Sequence, residues 1–146
     1  MLFKKTHKVK NVINSLIGAN TTVMGDITFS GGLRVDGVVR GNIKELRDMP
    51  SALILGEHGC IEGHVEVSTV VINGKISGQV SSALFVELQS KSHVIGDITY
   101  HAIEIDVGAS VEGRLVHLNT VTQAKFPYDH EVEKDVKSNF LNEEKL

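Results

Sequence analysis

Apolar and polar residues alternate in short runs along most of this chain, and the runs are punctuated by a glycine-centred motif. The motif has the form apolar–x–Gly–x–apolar and occurs six times. The central residues are Gly25, Gly41, Gly63, Gly78, Gly96 and Gly113. Successive glycines lie 16, 22, 15, 18 and 17 residues apart. A repeat of about 18 residues predicts one structural unit stacked on copies of itself, rather than a globular core with a cleft.

The residues between the glycines predict short β-strands. Apolar residues recur at every second position, as in Leu33/Val35, Leu53/Leu55 and Ile103/Ile105, which is typical of strands with one buried face. About three such runs occur in each repeat, separated by Gly, Asn, Asp and Ser, which accept the backbone angles of tight corners. Three strands and three corners in each repeat predict one coil of a β-helix.

The longest interval between glycines contains residues 45–50, which end in Pro50. Proline cannot donate a hydrogen bond to a central strand ladder. We therefore expect this segment to form a loop that bulges from one corner of its coil.

Two kinds of β-helix fit the period. The left-handed hexapeptide helix of acyltransferases also uses about 18 residues a coil, and Ile17, Val23, Phe29 and Val35 lie six residues apart. The six-residue phase then breaks, because the next position is Gly41. The hexapeptide fold therefore stays as the alternative.

Composition and charge exclude several classes of function. The net charge is −3, and residues 1–10 contain four lysines and no acid, so the rest of the chain carries −7. A weakly acidic repeat region argues against nucleic-acid binding, which needs clustered Lys and Arg. The single cysteine, Cys60, excludes an intrachain disulfide and suits a reducing cytoplasm. No stretch reaches the roughly 18–20 apolar residues of a membrane-spanning helix, and no secretory signal is present.

Three sections are predicted along the chain. Residues 1–17 form a basic, partly apolar N-terminal segment, residues 18–119 form the repeats, and residues 120–146 form a charged tail whose composition favours disorder. Val9, Val12, Ile13, Leu16 and Ile17 fit one stripe of a short helix, but a cap or a first strand explains them better.

The sequence contains no catalytic constellation. Five of the seven histidines lie in the repeats, where outward-facing positions are polar by default. His58, Cys60 and His64 are too few for a metal site, and no Gly-Lys-Ser/Thr follows the glycine pair at 31–32 to bind a phosphate. We therefore predict a protein that is not an enzyme and has no cofactor or bound metal.

The residues around the first two motifs resemble the bactofilin family. The resemblance rests on residues 16–20, 23–27, 33–43 and 71–80, is most specific from Val35-Asp36-Gly37 to Gly41, and covers about residues 16–118. It implies an all-β, single-domain, right-handed parallel β-helix (solenoid) of about six coils with flexible terminal tails. It also implies a bacterial cytoskeletal protein that polymerises without nucleotide, acts in cell shape or envelope organisation, and works beside peptidoglycan-remodelling enzymes.

The ends of such a solenoid are its predicted assembly surfaces. Each end exposes unpaired strand edges and a section of the apolar core, and no long polar cap follows the last repeat. We therefore expect the chain to bind copies of itself end to end. The predicted contact residues are Val23 and Ile27 at one end and Leu115, Val116, Leu118, Val121 and Phe126 at the other.

The N-terminal segment predicts attachment to a membrane surface. Two large apolar side chains stand beside a cluster of lysines, which is a pattern that binds anionic lipid head groups. The predicted membrane-binding residues are Leu2, Phe3, Lys4, Lys5, Lys8 and Lys10. The expected location is cytoplasmic, at the inner face of the cell membrane.

Two other classes of protein remain open at this point. A hexapeptide acyltransferase would be a trimer that binds an acyl-thioester between subunits. A monomeric β-helical adaptor would have capped ends and a partner on one flat face. Assembly size separates these two from a long filament.

Overall fold

The computed structural model describes residues 12–47 and 49–119, and all regular structure within these residues is β-strand. The 18 strands are each two to four residues long, and short strands are what the alternation predicts. Their bounds are β1 Ser15–Ile17, β2 Thr22–Met24, β3 Ile27–Phe29, β4 Gly32–Val35, β5 Val38–Arg40, β6 Ile43–Glu45, β7 Ala52–Leu55, β8 Cys60–Glu62, β9 Val65–Glu66, β10 Thr69–Ile72, β11 Lys75–Ser77, β12 Val80–Ser81, β13 Phe85–Leu88, β14 His93–Ile95, β15 Ile98–Tyr100, β16 Ile103–Ile105, β17 Ser110–Glu112 and β18 Leu115–His117.

The strands form three parallel sheets of six strands each. Sheet A has the order β1-β4-β7-β10-β13-β16, sheet B runs from β2 to β17, and sheet C runs from β3 to β18. The chain passes from sheet A to sheet B to sheet C and then begins the next coil, so each coil adds one strand to every sheet. This arrangement confirms the predicted parallel β-solenoid of about six coils.

The core consists of apolar rows that run through the stack of coils. In sheet A, for example, Leu33, Leu53, Val70 and Val86 occupy equivalent positions in successive coils. The inward-facing residues of the middle coils are 0% exposed, including Val39, Ile61 and Ile76 of sheet B. Each coil contributes only one thin layer of side chains, so a coil is buried by its neighbours and not by itself.

The repeated glycines stand one above another at the corner between sheets B and C. A Cβ placed on Gly41 would overlap the backbone carbonyl of Gly25, and one on Gly63 would overlap the carbonyl of Gly41. The same overlap recurs between Gly78 and Gly63 and on through the last two motifs. The motif that identifies the repeat therefore marks a corner at which successive coils lie too close together for a side chain.

The residue that follows each of these glycines extends a second column along the same corner. Asp26 Oδ1 accepts a hydrogen bond from the backbone N–H of Asn42 at 2.8 Å, and Asn42 Oδ1 accepts one from His64 N–H at 2.9 Å. His64 Nδ1 in turn accepts from the N–H of Gln79 at 3.0 Å. Each side chain thus satisfies a backbone donor of the next coil, which gives His64 a structural role at the surface.

The predicted loop at 45–50 is confirmed, except that it begins one residue later. Glu45 is the last residue of β6 and is buried, so it belongs to the coil and not to the loop. Its Oε1 accepts hydrogen bonds from the backbone N–H groups of Ser51 and Ser68, both at 2.9 Å. Its Oε2 accepts from the Ser68 hydroxyl at 2.6 Å. The carboxylate therefore fastens the end of the loop to the next coil.

The residues before the first glycine motif form no helix in the part of the chain that is described. Residues 12–14 lie outside regular structure and β1 follows, which confirms the first-strand interpretation of Leu16 and Ile17. Val9 lies outside the described residues. Nothing within 12–47 and 49–119 forms a helix long and apolar enough to cross a membrane.

Candidate assembly interface at the two ends of the solenoid

The N-terminal end of the solenoid presents three unpaired strand edges. Strands β1, β2 and β3 each pair with one strand of the second coil and, among the described residues, with no strand on their other side. The core residues of this coil, Ile17, Val23 and Ile27, are only half-buried. Their equivalents one coil further on, Val35, Val39 and Ile43, are all 0% exposed. The first coil therefore exposes a cross-section of the core.

The C-terminal end has the same construction. Strands β16, β17 and β18 are the last members of their sheets within the described chain. Leu115 is 44% exposed and Ile105 is 48% exposed. The equivalent residues in the preceding coil, Ile98 and Leu88, are 0% exposed. Both ends therefore combine open backbone hydrogen-bonding groups with apolar side chains, which is the arrangement that favours association through edges.

The two ends differ in their charge. The first coil, residues 12–30, contains a single charged residue, Asp26, and its rim is apolar because Leu16 is 61% and Met24 72% exposed. The last coil, residues 101–119, contains Glu104, Asp106, Glu112 and Arg114. An apolar rim therefore lies at one end and a charged rim at the other.

The charged rim is organised by ion pairs between the last two coils. The Arg114 guanidinium donates to Asp97 Oδ2 at 2.9 Å, and the Arg114 backbone N–H donates to Asp97 Oδ1 at 2.9 Å. These bonds hold the pKa of the Asp97 carboxyl below its usual value and raise the pKa of Arg114. His93 Nε2 lies 2.8 Å from Glu112 Oε2 on the neighbouring face.

A cluster of rings stands where the chain leaves the last coil. The ring centroids of Tyr100 and His117 are 5.4 Å apart, and those of His101 and His117 are 6.2 Å apart in a stacked arrangement. The backbone N–H of Leu118 donates to the carbonyl of Tyr100 at 2.6 Å. The regular pairing between coils therefore continues as far as Leu118.

Five of the seven predicted contact residues lie within the described residues, in the first and the last coil. Val23 and Ile27 lie in the first coil and Leu115 in the last, all in core rows. Val116 follows Leu115 but faces outward from sheet C and is 40% exposed, while Leu118 is half-buried. Val121 and Phe126 lie outside the described residues, as do the predicted membrane-binding residues Leu2, Phe3, Lys4, Lys5, Lys8 and Lys10.

Sequence reasoning missed four further core residues that the ends expose. Ile17 is the sheet A member of the first coil, and Ile103, Ile105 and Val111 belong to the last. Alternation identified Ile103 and Ile105 as strand residues. Their place at the open end follows only from counting the three strands of every coil, which the short and irregular repeats obscure.

A shallow cavity of about 260 Å³ lies on the outer surface of sheet C, near the N-terminal end. Asp26, Lys44, His64 and Glu66 contribute to its lining. Partial burial raises the pKa of Glu66, and the nearby Lys44, Arg47 and His64 oppose this shift. Within the described ranges, no group of three or more His, Cys, Asp or Glu is placed to hold a metal ion. The cavity is thus a polar surface groove.

Comparisons with known proteins point to one family. The bactofilin family model, described as polymer-forming cytoskeletal, matches residues 15–116. Bactofilin BacO of Myxococcus xanthus (strain DK1622) is 30% identical over 102 residues, which are 70% of this chain and 78% of that protein.

Two solved structures share the fold. The solid-state NMR structure of the cytoskeletal bactofilin BacA superposes with a TM-score of 0.62 at 33% identity, covering 72% of this chain and 96% of that one. The cryo-EM reconstruction of Thermus thermophilus bactofilin double helical filaments gives a TM-score of 0.60 at 26% identity, covering 71% and 99%.

Proposed function

This chain belongs to the bactofilin family of polymer-forming cytoskeletal proteins, and on this premise we propose that its filaments grow by end-to-end stacking of solenoids at a membrane surface. It is a structural, filament-forming protein and not an enzyme. The family assignment removes the acyltransferase and the monomeric adaptor as alternatives. We further propose that the filament serves cell shape or envelope organisation, beside enzymes that remodel peptidoglycan.

End-to-end stacking is supported by one observation: the core rows are exposed at both ends of the solenoid. Leu115 is 44% exposed, whereas its counterpart Ile98 in the coil before it is 0% exposed. Stacking another solenoid on this end would bury Leu115 as Ile98 is buried now. Burying about 200 Å² of apolar surface contributes about 5 kcal/mol before the costs of association. Three strand edges at each end add backbone hydrogen bonds.

Electron microscopy of end variants without nucleotide tests this proposal. We expect Leu115→Glu and Val116→Glu to abolish long filaments, because the first puts a carboxylate into the apolar core of the joint between subunits and the second puts one at its outer edge. Val116 faces outward, so its variant leaves the core row intact. Leu46→Glu is the matched control, because Leu46 is 45% exposed in the loop between β6 and β7 and belongs to no strand of the first or last coil. Normal filaments from both end variants, with unchanged circular dichroism, would refute end-to-end stacking.

The membrane part of the proposal depends on residues 1–10. Leu2 and Phe3 supply apolar side chains, and Lys4, Lys5, Lys8 and Lys10 supply positive charge without any acid among them. Each lysine near an anionic surface contributes about 1 kcal/mol. A single segment binds weakly, but a filament presents many copies, so their combined affinity is large.

Co-sedimentation of filaments with lipid vesicles tests the membrane part. We expect binding to vesicles that contain anionic lipid, and loss of that binding in the double variant Leu2→Ser/Phe3→Ser. Ile95→Ser is the control, because it removes an exposed apolar side chain that lies outside the first and last coils. Equal binding by the double variant and the control would show that residues 2 and 3 do not anchor the filament.

A further inference from the structure

Five exposed apolar side chains lie along one corner of the solenoid, between sheets C and A. Among the described residues, the other large apolar side chains that are exposed belong to the last coil or to sheet B. The five at this corner are between 42% and 74% exposed. We call them the corner patch, which consists of Val12, Ile13, Leu16, Leu46 and Met49.

Hydrogen bonds between coils place these residues on neighbouring layers of the corner. The backbone N–H of Asn14 donates to the carbonyl of Gly32 at 2.8 Å, and the N–H of Ala52 donates to the carbonyl of Gly31 at 2.9 Å. The segment before β1, the turn before β4 and the loop before β7 are therefore three successive layers. Layers of paired strands lie about 4.8 Å apart, so the patch extends about 10 Å along the axis of the solenoid.

The loop that contains Leu46 and Met49 is fixed at both ends. The N–H of Leu46 donates to the carbonyl of Phe29 at 2.8 Å. The buried Glu45 carboxylate accepts from the N–H of Ser51 at 2.9 Å. Two apolar side chains are thus held at the surface by a backbone that is bonded to neighbouring coils. Apolar groups presented together in this way mark a contact with a partner or a membrane.

End-to-end stacking does not account for the two loop residues. A solenoid stacked on the first coil would cover the core residues exposed there, which are Ile17, Val23 and Ile27. Leu46 and Met49 follow β6 of the second coil, so the first coil lies between them and that joint. The corner patch therefore continues from the N-terminal end along the side of the solenoid.

The chain that precedes the patch points to its partner. Lys10, one of the proposed membrane-binding residues, is two positions before Val12. Two residues span at most about 7 Å, so a lipid head group that contacts Lys10 lies close to the patch. The boundary between head groups and acyl chains accepts apolar side chains, which are what the patch offers. A lipid surface therefore fits both the position and the chemistry of the patch.

The charged groups around the patch are compatible with an anionic surface. Lys44 lies on the exposed outer face of β6, and Arg47 lies in the loop between the two apolar residues. Glu66 is half-buried near both cations, and its burial raises the pKa of its carboxyl, which opposes its ionisation. Asp48 lies outside the described residues.

On the basis of the proposed membrane attachment of residues 1–10, we propose that the corner patch enters the same lipid surface. The corner between sheets C and A then faces the bilayer, and sheet B, on the opposite side of the three-sheet solenoid, faces away from it. The N-terminal segment supplies the attraction to anionic lipid, and the patch determines which side of the filament the membrane covers.

A fluorescent probe on the loop tests this proposal with the filament intact. The chain has one cysteine, so Cys60→Ser gives a background in which Met49→Cys or Ile95→Cys introduces a single labelling site. A polarity-sensitive dye at residue 49 should shift its emission to shorter wavelength when filaments bind vesicles of equal parts phosphatidylglycerol and phosphatidylcholine. The same dye at residue 95, an exposed position of sheet B, should not shift.

Removal of the loop side chains supplies the second arm. We expect Leu46→Ser/Met49→Ser to weaken the binding of filaments to these vesicles about tenfold, because two apolar side chains no longer enter the lipid. The length of the filaments in electron micrographs should not change. Ile95→Ser is the control and should alter neither vesicle binding nor filament length.

The outcomes separate the patch from the N-terminal segment. Vesicle binding with no shift at residue 49 and no loss in the loop variant would overturn the proposal and leave attachment through residues 1–10 standing. Wild-type filaments that do not bind these vesicles would refute both the attachment and the role of the patch. A shift at residue 49 on assembly without vesicles would also overturn the proposal, because a second copy of the chain would then cover the patch.

Discussion

At the scale of single residues, the steric demand of one corner selects glycine in every coil after the first. A side chain on Gly78 would overlap the backbone carbonyl of Gly63, and Gly78 also has a φ of 153°. Both conditions exclude a Cβ, so steric space, and not strand propensity or hydropathy, determines that residue 78 is glycine. The glycine spacing was therefore the strongest signal in the sequence, although the sequence alone does not reveal the close contact that causes it.

We predict that Gly78→Ala lowers the free energy of unfolding by about 1–3 kcal/mol, because the new methyl group forces two coils apart. Urea unfolding followed by circular dichroism measures the loss. Gly18→Ala is the control, since no atom lies within 4 Å of the position of its Cβ. It should change the stability by less than about 0.5 kcal/mol. Equal losses in the two variants would contradict the role assigned to the glycine column.

At the scale of elements, a buried carboxylate connects the longest loop to the solenoid. Glu45 at the end of β6 accepts three hydrogen bonds, from two residues that precede β7 and β10. An acidic residue beside a proline-containing loop looks like a solvent-exposed loop residue in the sequence. Its burial depends on Ser51 and Ser68, which are 6 and 23 residues away, and no local pattern reveals that pairing.

We predict that Glu45→Gln lowers the free energy of unfolding by about 1–3 kcal/mol. The amide keeps the size of the side chain but replaces an acceptor oxygen with a donor, which leaves a buried partner unsatisfied. Glu57→Gln is the matched control, because Glu57 is exposed and lies 3.4 Å from Lys91 in a surface ion pair. Thermal unfolding of the two variants measures the loss of stability that each substitution causes. A loss for Glu57→Gln as large as that for Glu45→Gln would contradict it.

The strands themselves could be predicted because their pattern is local. Alternation places Leu53 and Leu55 in one strand, and the structure puts both in the core at 0% exposure. The outer faces could not be predicted in the same way. Val71 stands between Val70 and Ile72 in an unbroken apolar run, so alternation cannot tell that it alone of the three faces outward. It is nevertheless only 7% exposed, which no pattern within its own strand predicts.

At the scale of the whole molecule, the described residues form a stack of coils in which no strand covers the first or the last layer. Every coil is buried by the coils on both sides, except for the first and the last. The same interactions that hold the coils together are therefore available between subunits. This explains in physical terms why a protein of the polymer-forming bactofilin family has this fold.

The axial repeat of the filament is the measurement that tests end-to-end stacking most directly. Neighbouring parallel strands lie about 4.8 Å apart, so six stacked coils occupy about 29 Å along the axis. We predict that cryo-electron microscopy of the wild-type filament shows a 4.8 Å axial spacing and a subunit repeat of about 29 Å, or about 58 Å if neighbouring subunits alternate in direction. A repeat that is not a multiple of about 29 Å, or coils stacked across the filament axis, would contradict the account.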